Sequence, residues 1–88
     1  MAQSVLHEGI VRAGDGAPVP DALVAVARGT EPTPEIAIRS NHEGRFGIAL
    51  PPGSYEIEAR APGGAHGLVT VRTGEARQVI EIVLDGTP

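Results

Sequence analysis

Twenty of the 88 residues are Gly or Pro, and they fall between short apolar runs without any G-X-Y period. Each Pro removes a backbone donor and each Gly costs backbone entropy in a helix, so long helices are disfavoured, and the missing period excludes a collagen triple helix. A hydrophobic fraction of 41 % is too high for a disordered segment. The Gly and Pro residues therefore punctuate a folded chain. At this length the chain is expected to form one small domain, residues 1–88, with a thin core.

Seven apolar runs lie between the breakers, at residues 5–12, 22–28, 36–40, 45–50, 54–61, 67–73 and 77–84. Most alternate with period two. Phe46, Ile48 and Leu50 share a face, and Tyr55, Ile57 and Ala59 alternate with Glu56, Glu58 and Arg60. Charged residues on the off-beats give each sheet one wet face and one dry face, the antiparallel pattern. The connectors carry turn chemistry. Gly14-Asp15-Gly16 suits a tight hairpin after the first strand, and Pro18-Val19-Pro20 an extended edge segment leading into the second. Asn41-His42-Glu43-Gly44 is a four-residue turn in which Gly44 supplies a left-handed conformation, and Pro51-Pro52-Gly53 fixes a sharp corner. Residues 29–35, with two Pro and little apolar mass, read as a surface loop.

The segments GIVRAGDGAPVPDALVAV and SNHEGRFGIALPPGSYEIEARAPG together resemble the carboxypeptidase regulatory-like domains. The likeness runs through Gly9, Gly16, Pro18, Pro20, Val24, Gly44, Phe46, Pro51, Gly53 and Tyr55. It implies an all-β fold, a seven-stranded antiparallel Greek-key β-sandwich of the transthyretin-like type. It also implies a non-catalytic module that aids folding or mediates contacts. Tyr55 is expected to bury its ring and pass its hydroxyl to a backbone group at the corner.

Sharper chemistry fails on residue counts. A transthyretin-like hydrolase that opens 5-hydroxyisourate has a Tyr-Arg-Gly-Ser tail, whereas this sequence ends Leu84-Asp85-Gly86-Thr87-Pro88, leaving only His7 as a stand-in. Isopeptide cross-linking needs a Lys amine, and the sequence has no Lys. An intradiol-type iron site needs two Tyr, and Tyr55 is alone. His7 and Glu8 sit on opposite faces of a strand, so they cannot chelate one metal. Asn41, His42 and Glu43 offer a single carboxylate to Ca²⁺, and the preferred reading is a solvated turn. Ser4, Ser40 and Ser54 lie at strand ends or turns without a nucleophile elbow. With Phe46 and Tyr55 both inward by alternation, no aromatic platform is left for sugars. No catalytic, metal or cofactor residue is assigned.

The formal charge of −4, without a basic cluster, disfavours nucleic acid and anionic membranes. No run approaches the ~20 apolar residues of a membrane helix, and there is no signal-peptide pattern. A complete chain of this kind is expected in the cytoplasm, and an excised domain outside the cell. What remains is binding or assembly with a protein partner or with itself. The surfaces on offer are the sheet edges, the loop 29–35, the turns 41–44 and 63–66, and an acidic face. The candidate contact residues are Asn41, His42, Glu43, Glu56, Glu58 and Glu81.

Overall fold

The computed structural model describes residues 4–30 and 37–85, and every structural statement below concerns those residues. Seven strands are present: β1 (Val5–Arg12), β2 (Leu23–Gly29), β3 (Ile38–Arg39), β4 (Arg45–Leu50), β5 (Gly53–Arg60), β6 (His66–Thr73) and β7 (Val79–Val83). None of the described residues is helical. The expected loop at 29–35 lies mostly outside the described residues, as does Ile36 of the third expected strand.

The strands form two sheets, ordered β4-β1-β7 and β3-β2-β5-β6. Alternation buries one face of each against the other. Val11, Phe46, Ile48, Leu50, Ile80 and Ile82 point inward from the three-stranded sheet, and Val24, Tyr55, Ile57 and Ala59 from the four-stranded one. Each full burial of a Val, Leu or Ile side chain is worth about 1.5–3 kcal/mol, so these rows supply the driving force. Two glycines make the packing possible. The Phe46 ring lies over Gly9, its cross-strand partner, in the space a Cβ would need. At Gly67 a Cβ would run into the Val83 carbonyl where β6 passes close over the end of β7.

The all-β sandwich is as expected, but it is not wholly antiparallel. The β1–β7 pair is parallel, from Glu8↔Val79 to Arg12↔Val83. Alternation reports which face a strand buries and is blind to the direction in which it runs. A second departure concerns Gly14-Asp15-Gly16. The turn forms, with Gly16 at φ 93° and its N–H donating to the Ala13 carbonyl at 2.9 Å. It returns the chain to β1 only through the Arg12↔Pro18 bridge, after which β2 joins the other sheet. Pro18 and Pro20 thus lie on a crossing segment.

That segment is held by a residue with no outward sign of importance. The buried Ser40 hydroxyl donates to the Val19 carbonyl at 2.8 Å and accepts the Ala22 N–H at 2.9 Å. Between them Asp21 takes φ 58°, its N–H donating to the Ser40 carbonyl at 3.1 Å. Asp tolerates this left-handed region better than most residues. At the next corner Gly44 has φ 77°, and a Cβ there would lie 2.7 Å from the Val11 carbonyl oxygen.

Pro51 and Pro52 carry the chain from β4 in one sheet to β5 in the other, with Gly53 as the first residue of β5. The Pro51 carbonyl accepts two hydroxyls, from Tyr55 at 2.6 Å and from Thr73 at 2.9 Å. Thr73 also accepts the Gly53 N–H at 3.1 Å. Tyr55 is 1 % exposed, so one side chain fills the core and ties the corner.

Candidate functional site

The six candidate contact residues are dispersed over three places. Glu56 and Glu58 project from the outer face of the four-stranded sheet, and Glu81 from the outer face of the other. Each faces an arginine: Glu56 lies 3.8 Å from Arg28, Glu58 lies 3.1 Å from Arg60, and Glu81 lies 3.1 Å from Arg12. Such exposed pairs are each worth about 0–1 kcal/mol, and they neutralise the field that an acidic patch would need. Asn41, His42 and Glu43 are exposed in the turn before β4. The Asn41 carboxamide oxygen is committed to that turn, accepting the Glu43 and Arg45 N–H groups at 2.9 Å each.

Sequence reasoning missed the burial of His7. It is fully enclosed, although it shares a face with Gly9 and Val11, which is the pattern that signals it. Its Nδ1 accepts the Gln78 N–H at 3.1 Å, which places the proton on Nε2, and Nε2 is buried without a partner. Burial, and then the positive charge of Arg77, hold the imidazole below its usual range. His42 and His66 are exposed elsewhere, and among the described residues no group of three His, Cys, Asp or Glu is placed to hold a metal ion.

This burial has a consequence for pH. A folded-state pKa below the unfolded value means that the unfolded chain binds the proton first. Stability is therefore full above about pH 6.5 and falls as the pH drops toward the folded pKa, by up to about 1.4 kcal/mol per pH unit. Urea unfolding at a series of pH values is expected to show this slope, and His7→Leu is expected to remove His7's share of it.

The sheet edges can be read residue by residue. In the β5–β6 hairpin the Ala61 N–H donates to the Ala65 carbonyl at 2.8 Å, and the register runs on without a shift from Arg60↔His66 to Gly53↔Thr73. Antiparallel partners alternate between bonded and non-bonded pairs, so even-numbered β6 residues turn their N–H and C=O groups away from β5. His66 confirms the phase, because its backbone exchanges hydrogen bonds with Asp85 on the far side. Leu68, Thr70 and Arg72 consequently present their backbone groups at an open edge.

The other edges are shorter or guarded. On β4, Val11 N–H donating to Gly44 O sets the phase that turns Arg45, Gly47 and Ala49 outward. Asn41 occupies both backbone groups of Arg45. On β7 the same reasoning turns Val79, Glu81 and Val83 outward; Glu81 brings a carboxylate to this edge, and Gly67 packs over the Val83 carbonyl. β3 has only two residues. By contrast β6 is eight residues long and, past the His66–Asp85 pairing at its first residue, runs from Leu68 to Thr73 with neither Pro nor acid. Natural edges usually carry such protection.

Comparison with known proteins agrees with this architecture. A crystal structure of a DUF3823 family protein from Parabacteroides merdae is similar, with a TM-score of 0.67 and 22 % sequence identity. The similarity covers 100 % of this chain and 48 % of that one, so this chain spans about half its length. A search among curated protein sequences gives no match. The family model for the carboxypeptidase regulatory-like domain matches residues 8–85, a span that takes in all seven strands but for the first three residues of β1. By its sequence and by the sandwich that sequence builds, the chain belongs to the carboxypeptidase regulatory-like domain family.

Proposed function

We propose that this domain is a non-catalytic docking module, acting in protein–protein interaction or assembly as a small structural or accessory subunit. The observation that carries the reading is the open β6 edge, where Leu68, Thr70 and Arg72 offer backbone groups to a further strand. Two further features support it. Membership of a family of non-catalytic β-domains fits a binding role. The outer face of the three-stranded sheet also exposes Leu6 and Val79, which line one surface cleft suited to a contact. The sealed position of His7 works against the hydrolase alternative, since no substrate reaches a fully buried imidazole. A second reading is a surface or adhesion module within a longer exported protein; in the DUF3823 family structure the shared fold makes up 48 % of a longer chain.

The test is site-specific photo-crosslinking with sedimentation alongside. Benzoylphenylalanine is placed at Ala49 on the β4 edge, at Thr70 on the β6 edge, at His42 in the turn, and at Asp15 as a comparison. Adducts that form from an edge or from His42 and not from Asp15, or sedimentation as an oligomer, support docking. A chain that stays monomeric up to millimolar concentration and gives no adduct at any of these positions would sink the reading.

A further inference from the structure

We infer that the β6 edge takes an extended, acid-bearing segment of a partner protein as an added antiparallel strand, with the segment's carboxylate opposite Arg72. This rests on the docking reading above and specifies its edge and the chemistry of its partner.

Three observations lead there. The first is the phase of β6, which leaves the N–H and C=O groups of Leu68, Thr70 and Arg72 facing away from β5. A strand laid alongside forms bonded pairs with those three residues, closing six backbone groups that water otherwise solvates. The second is the disposition of side chains along the edge. Leu68, Thr70 and Arg72 stand exposed on the outer face, with Leu68 57 % exposed, while Val69 and Val71 are half-buried on the inner face. An added strand with small β-branched residues on alternate positions extends the core over Val69 and Val71, and its other residues meet Leu68, Thr70 and Arg72.

The third observation is charge. Glu56 and Glu58, on the neighbouring strand, face Arg28 and Arg60, whereas Arg72 makes no ion pair among the described residues. In a chain of formal charge −4, the stretch of this edge from Leu68 to Arg72 carries a cation with no ion pair among the described residues, and no acid of its own. Opposite charges directly across a ladder stabilise it, so the residue facing Arg72 should be Asp or Glu. A second copy of this chain meets the requirement poorly. Antiparallel β6–β6 pairing about a twofold through Thr70 sets Arg72 against Leu68 twice, and no carboxylate lies opposite either cation. An acid-bearing segment is the better electrostatic complement.

The probe is a labelled peptide, Ser-Glu-Val-Thr-Val-Leu-Ser, titrated with the full chain and followed by fluorescence anisotropy. Read antiparallel, it places Glu opposite Arg72, Thr opposite Thr70 and Leu opposite Leu68. Saturable binding is expected. N-methylation at the peptide's Thr should weaken it at least about tenfold, because that amide points at β6, while N-methylation at the Val that follows should change it less than about twofold. Thr70→Pro in the protein should abolish binding and leave the urea midpoint nearly unchanged, since the lost N–H faces outward. Arg72→Glu should reverse the preference between this peptide and one with Lys in place of Glu.

Binding that is indifferent to the position of N-methylation, or no saturable binding, overturns the inference. So does a dimer that Thr70→Pro dissociates in a chain that ignores the peptide, which would assign the edge to a second copy. Crosslinks from Ala49 or His42 without peptide binding leave the docking reading standing and remove only this inference. Absence of peptide binding, of adducts at every probed position and of an oligomer removes the two together.

Discussion

Replacing Gly67 with alanine is expected to lower folding stability by about 3 kcal/mol or more. The added Cβ meets the Val83 carbonyl, which is backbone and part of the strand that closes the three-stranded sheet. A flexible side chain would swing aside, but a strand moves only by disturbing its own ladder. Against a total stability of about 5–15 kcal/mol, such a loss leaves much of the population unfolded near physiological temperature. The control is Gly74→Ala, where a Cβ enters open space, and less than about 0.5 kcal/mol is expected. Urea unfolding of the two variants decides the matter, and equal midpoints would show that β6 and β7 are not in close contact.

Tyr55→Ala is expected to cost about 3–5 kcal/mol, the usual range for removing a large buried aromatic. Tyr55→Phe separates the two jobs of the side chain. It keeps the ring and removes the hydroxyl bond to the Pro51 carbonyl, at a cost of about 0.5–1.5 kcal/mol. Thr73 still donates to the same carbonyl, which holds the phenylalanine variant toward the lower end. For a domain of this size each kcal/mol moves the melting temperature by about 4–8 °C, so a thermal scan resolves all three proteins. A phenylalanine variant as damaged as the alanine variant would mean that the corner, and not the core, depends on Tyr55.

Local signals in the sequence predicted the strands and missed whatever depends on residues far apart. Period-two alternation places Phe46, Ile48 and Leu50 on one face, and they are buried together. Gly16 and Gly44 read as turn residues, and both have positive φ. The same alternation is silent about direction, which is why the parallel pairing of β7 with β1 was not legible. Gly9 and Gly67 look like ordinary breaks in a strand, because their reasons, the Phe46 ring and the Val83 carbonyl, lie on other strands. Asp21 gave no hint of its left-handed conformation, which accompanies the contacts of Ser40, at the end of the neighbouring strand β3.

The candidate surface fared similarly. Glu56, Glu58 and Glu81 do face outward, as their alternation implies, but their charges are met by arginines. Of these, Arg28 and Arg12 are separated from their partners by long stretches of chain. The β6 edge follows from the bonding phase of a hairpin, which requires both register and sheet order. Neither is written in the apolar pattern.

The pairing of β1 with β7 also sets a schedule for folding. His7 and Gln78, which meet where the two strands begin to pair, are 71 positions apart in the chain. Few contacts in a small domain span so much of its length, and distant contacts slow folding because the intervening loop must first be closed. At synthesis rates of about 5–20 residues per second, β1 waits roughly 4–14 s for its parallel neighbour to be made. Through that interval the backbone groups on its β7-facing side have no partner, and chaperones have their best opportunity to bind it.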